Sequence, residues 1–105
     1  MSATENKIKE VAEKIGKKFQ PEKIILFGSW AWGNPNDQSD VDLCIIQDTE
    51  QSIREVGRAI DDFVFPRPFP LDVIVYTPAQ VERALAKGDF FITAIVSKGK
   101  VLYAR

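Results

Sequence analysis

A chain of 105 residues has room for one hydrophobic core, and with 45% hydrophobic and 28% charged residues it is too apolar and too evenly charged for intrinsic disorder. The 14 Lys and Arg against 15 Asp and Glu leave a formal net charge of −1, which excludes a global basic field for binding nucleic acid or an anionic membrane without sequence preference. The absence of histidine removes the usual neutral-pH base, the histidine triads and histidine metal sites, and a lone Cys44 excludes an internal disulfide and a thiolate zinc cluster. Any catalysis must therefore rest on carboxylates, hydroxyls, cations or a bound metal. No apolar run reaches the roughly 18 residues of a membrane helix. The charged stretch from Met1 to Glu10 has no signal-peptide core, so a cytoplasmic, reducing setting is expected.

In chain order, Ile8, Val11, Ala12, Ile15 and Phe19 recur at helical spacing, with Ser2 and Glu5 at capping-box spacing ahead of them and Pro21 as a stop. The run Lys23 to Phe27 lacks alternation and reads as a central strand covered on both faces. Gly28 to Gly33 has room for one helical turn, and residues 34–39 form a loop by composition. A second strand is expected from about Asp40 to Gln47, with Val41, Leu43 and Ile45 on one face and Asp40, Asp42, Cys44 and Ile46 on the other. After an expected cap at Asp48-Thr49, Ile53, Val56, Ala59, Ile60 and Phe63 mark a helix that runs to the proline-rich stretch 66–70. A third strand covers Leu71 to Tyr76. Thr77-Pro78 with Gln80 starts a helix ending at Gly88, Asp89 caps another through about Ser97, and Lys100 to Tyr103 closes the chain as a short strand. The chain is expected to be a single domain, 1–105.

Asp40 and Asp42 share one strand face, so their oxygens suit a divalent cation such as Mg²⁺, which favours oxygen ligands. Taken alone, such a pair reads first as a solvent-facing strand start, since short motifs recur by chance. Gly28-Ser29 lies where a strand ends and a helical turn begins, so backbone N–H groups and the serine hydroxyl would face a phosphate; taken alone, it is an ordinary tight turn. Asp72 sits near the start of an apolar strand, where a carboxylate needs solvent or a partner. If strands one and two are antiparallel and strands two and three parallel, with the helix from about Thr49 to Phe63 as the crossover, all of these residues converge at one edge. A phosphate cradle beside three carboxylates is what two-metal phosphoryl transfer requires.

In this arrangement, Gly28-Ser29-X-Ala31-X-Gly33, then Asp40-Val41-Asp42-Leu43, then Leu71-Asp72-Val73-Ile74-Val75, the chain resembles a minimal nucleotidyltransferase (MNT) domain of the DNA polymerase β-like superfamily. The resemblance spans nearly the whole chain. It implies an α/β (α+β) fold with a small mixed sheet flanked by helices, ATP or another nucleoside triphosphate as substrate, and two Mg²⁺ ions. It also implies transfer of a nucleoside monophosphate to a hydroxyl. By position, Asp40 and Asp42 would bind both metals, Asp72 would complete the site and promote deprotonation of the attacking hydroxyl, and Gly28 and Ser29 would hold the triphosphate. Members of this size are often paired with a small all-helical HEPN protein in toxin–antitoxin modules, so such a protein partner and a homo- or hetero-oligomer are expected, with no direct contact to nucleic acid or membrane. The chain departs from the pattern at Trp30 and Trp32, where many members carry arginine. The alternative reading is therefore an MNT-fold module that restrains a HEPN partner by complex formation alone.

Overall fold

A computed structural model of the chain describes residues 2–36 and 38–105. Met1 and Asp37, which belong to the expected N-terminal stretch and the 34–39 loop, lie outside the described residues. The elements follow in the order α1 (Ala3–Phe19), β1 (Lys23–Phe27), α2 (Ser29–Trp32), β2 (Val41–Ile46), α3 (Ile53–Phe63), β3 (Leu71–Tyr76), α4 (Pro78–Ala86), α5 (Phe90–Lys98) and β4 (Lys100–Ala104).

Helix starts follow local chemistry. Ser2 and Glu5 form the capping box of α1, Thr77 and Gln80 that of α4 behind Pro78, and Asp89 accepts from the Ile92 N–H at the head of α5. The start of α3 differs from expectation. Ser52, not Asp48 or Thr49, is its cap and accepts from the Glu55 N–H, while the Thr49 hydroxyl holds a local turn by accepting from the Gln51 N–H. The reason is spacing: Ser52 stands immediately before Ile53, the first residue of the apolar stripe, whereas Thr49 is a full turn too early.

Among the described residues the strands form one four-stranded sheet in the order β3-β2-β1-β4. β1 pairs antiparallel with β2 and with β4, and β2 pairs parallel with β3 through the α3 crossover. The expected mixed topology is thus the observed one. Helices cover both faces, which explains why β1 shows no alternation: α1 and α3 pack Ile8, Ile15, Val56 and Ile60 on Ile24, Leu26, Leu43 and Ile45, while α5 packs Ile92 and Ile95 on Ile25, Phe27, Cys44 and Ile46. Burial pushes the Cys44 thiol up to about 12, so it stays a neutral packing group.

The aromatic residues of the sequence divide between core and surface. Trp30 and Phe69 pack against the α1/α3 core, and the Trp30 indole donates to the Ser39 carbonyl at 3.3 Å. Trp32 and Phe65 are exposed. Because Ile45 is fully buried between β2 and the α1/α3 layer, Ile45→Ala is expected to destabilise the protein by about 2–5 kcal/mol in urea unfolding, the usual cost of a large-to-small core change.

Candidate active site

Register places the chemistry. Phe27 lies opposite Asp42, and Asp42 lies opposite Asp72, so a single row crosses β1, β2 and β3. Neighbouring strands stand ~4.8 Å apart and paired residues share a face, so the Asp42 and Asp72 side chains rise side by side. Asp40 precedes the first residue of β2 rather than opening the strand, and it is exposed. Asp72 is exposed and Asp42 half-buried.

Gly28 ties the turn to this row. Its φ of 77° and ψ of −155° lie in a region open in practice only to glycine, and a Cβ there would run into the Asp42 carboxylate. The Asp42 side chain therefore rests against the bare backbone of the β1–α2 turn. Ser29 follows as the first residue of α2, whose single turn is closed by the Ala31 and Trp32 N–H groups donating to the Gly28 carbonyl. At the β1 end of the row, Phe27 is buried under Phe91 of α5 in an edge-to-face contact of 5.6 Å. This aromatic flank was not singled out in the sequence; its only signal is the antiparallel register that sets Phe27 against Asp42.

Electrostatics register the crowding. Burial, then the neighbouring charges of Asp72 and Asp40, hold the Asp42 carboxyl above its ordinary 3.8. The donor set is all oxygen and anionic, which fits a hard dication such as Mg²⁺. Among the described residues no group of three acidic side chains stands as a preformed metal cage, so the aspartates meet as mutually repelling neighbours on an open edge. The surface grooves beside α1, α3 and α4 are lined by other residues. Of the cations in the sequence, Arg67 donates to the Leu71 carbonyl at 3.0 Å and steadies the entry to β3.

The family model "Polymerase beta, Nucleotidyltransferase" matches residues 6–105, and the chain belongs to this family. Among solved structures, a candidate nucleotidyltransferase from Sulfolobus solfataricus is similar with a TM-score of 0.64 and 22% sequence identity, over 93% of this chain and 78% of that one. At that identity the likeness is one of fold. No curated protein matches the chain significantly. No helix among the described residues is long and apolar enough to cross a membrane.

Two outcomes test this geometry. An acid whose folded pKa is raised costs stability once ionised, so the native state loses stability as pH rises from 3.8 through the folded value. Asp42→Asn is thus expected to raise the melting temperature of the metal-free protein at neutral pH, and the gain should vanish below pH 3.8. Gly28→Ala is expected to cost about 1–3 kcal/mol in denaturant melts because it forces a glycine-only conformation and displaces the Asp42 carboxylate.

Proposed function

We propose that this protein is a Mg²⁺-dependent nucleotidyltransferase that moves AMP from ATP onto a hydroxyl of a protein partner. The observation that carries the reading is the lateral pairing of Asp42 with Asp72, with the Gly28 backbone packed directly against Asp42. Asp40, Asp42 and Asp72 would hold the metal, which when bound neutralises phosphate charge and supports the attacking and leaving oxygens. The bare backbone at Gly28 leaves room for a triphosphate, and the Ser29 hydroxyl adds a hydrogen-bond donor beside it. Asp72, exposed at the outer side of the row, would take the proton of the acceptor hydroxyl as its oxygen bonds to the α-phosphorus and pyrophosphate leaves.

Protein is the favoured acceptor because Asp40 and Asp72 are exposed at the end of the sheet where β2 and β3 begin, where an acceptor carried on another macromolecule can reach them. A small all-helical HEPN-type protein, with this chain as its antitoxin, is the partner proposed from the sequence resemblance. The exposed Trp32 and Phe65 supply apolar anchors for such contact. A second reading, restraint of that partner by binding alone, draws on α2: Trp30 and Trp32 stand at its variable positions, so the turn brings no cation to a triphosphate.

The test is transfer of label from α-labelled ATP to a co-expressed HEPN-type protein in the presence of Mg²⁺. Labelling is expected, and Asp42→Asn should reduce its rate by roughly a hundredfold or more, ~2.7 kcal/mol of transition-state stabilisation. Stable complex formation with no label from either protein would replace the enzyme reading with the binding one.

A further inference from the structure

We infer that two copies of this chain pair through their β3 strands, antiparallel about a two-fold axis, to form one continuous eight-stranded sheet. The two edges of the sheet are built differently. At one, β4 carries Lys100, and its pairing with β1 is broken by a register shift between Ile24 and Ile25, the usual devices that discourage edge pairing. At the other, β3 is a regular run of six residues, Leu-Asp-Val-Ile-Val-Tyr, whose pairing with β2 shows no shift and whose only charge is the site residue Asp72. Such an edge is a template for another strand.

Hydrogen-bond parity says which residues do the pairing. The Pro70 and Tyr76 carbonyls accept from the β2 side, from Val41 and Gln47, so the even-numbered residues of β3 turn their backbone groups inward. The odd-numbered ones turn outward. The Leu71 carbonyl is taken by Arg67, which leaves Val73 and Val75. Residues opposite each other in an antiparallel pair must share a face, so the pairing that uses both is Val73 with Val75 of the second copy, and the reverse. Ile74 then meets its own mate at the two-fold axis, and Asp72 faces Tyr76 of the second copy, bringing a phenol from one subunit to the acidic row of the other.

Gly57 supplies an independent observation. It sits inside α3, where glycine weakens the helix relative to alanine. The monomer does not need it: a Cβ there would find only Val75, at an ordinary 3.6 Å. What its lack of a side chain does is keep open a groove of about 640 Å³ between α3 and the β3 edge, flanked by Arg54, Arg58 and Asp61. That charge pattern is self-complementary. The helix advances ~1.5 Å per residue and the strand ~3.3 Å, so an axis level with Ile74 falls about two helical residues beyond Gly57. Antiparallel copies of α3 then set Arg58 of each beside Asp61 of the other, which selects a second copy as occupant over an unrelated strand.

Sedimentation equilibrium of the full chain tests this, with circular dichroism to confirm folding. The wild-type chain is expected to be a dimer. Gly57→Glu, which improves helix propensity while filling the groove, should be a folded monomer. Arg58→Asp should weaken dimerisation by about tenfold or more, and adding Asp61→Arg should restore it. A monomeric wild-type chain overturns the proposal, including one that captures another protein's strand on this edge. So does a dimer whose affinity is unchanged by both Gly57→Glu and Arg58→Asp.

Discussion

The structure turns on the parallel pairing of β2 with β3, which sets two aspartates directly beside each other where these two largely apolar strands begin. Like charges opposite one another on neighbouring strands are unfavourable, and burial of Asp42 adds to the cost. A fold selected for stability alone has no use for this arrangement. The surrounding elements hold it in place all the same: α3 spans the crossover that makes the pairing parallel, helices seal both faces, and the Gly28 backbone fixes one side of the Asp42 carboxylate. Stability is provided by the two apolar layers, and the acidic row is maintained against its own repulsion.

That repulsion is also what makes the row useful. On the proposed reading a divalent cation would remove the mutual penalty, so that affinity for metal and relief of strain would be one effect, and a nucleoside triphosphate arriving with its metal would find anionic ligands already held side by side. The geometry around the row divides the tasks. The β1–α2 turn offers bare backbone and a hydroxyl, Asp72 faces solvent, and Phe27 with Phe91 closes the β1 end of the row with apolar surface. Membership of the polymerase β nucleotidyltransferase family supports transferase chemistry in general.

Much of this was legible in the residues because the signals were local and redundant. The Asp40-X-Asp42 spacing leading into the apolar run 43–46, the apolar run 24–27 and the bounded run of 71–76 each mark a strand, and the demand that Gly28-Ser29 and three aspartates meet favours a simple mixed topology. Capping chemistry at Ser2, Thr77 and Asp89 was equally plain. Ser52 was passed over because Asp48 and Thr49 offer the same side-chain chemistry a few residues earlier, and only the backbone conformation decides among them. Trp30 and Trp32 share a motif yet part ways, one packing on the core and one facing solvent, because a single helical turn points them in different directions. The meaning of Gly57 was out of reach, since a helix-interior glycine becomes informative only once the space beside it is known.

The most direct measurement of the central claim is the carboxyl titration of Asp42 by carbon-detected nuclear magnetic resonance, with and without Mg²⁺ and a non-hydrolysable ATP analogue. The account predicts a midpoint above the ordinary 3.8 in the free protein, because of burial and the charges of Asp72 and Asp40. It predicts a marked fall in that midpoint when metal and nucleotide are added, as the cation stabilises the ionised form. A midpoint that stays where it was, with the Asp72 and Gly28 resonances also undisturbed, would contradict the assignment of this row as a metal-dependent nucleotide site.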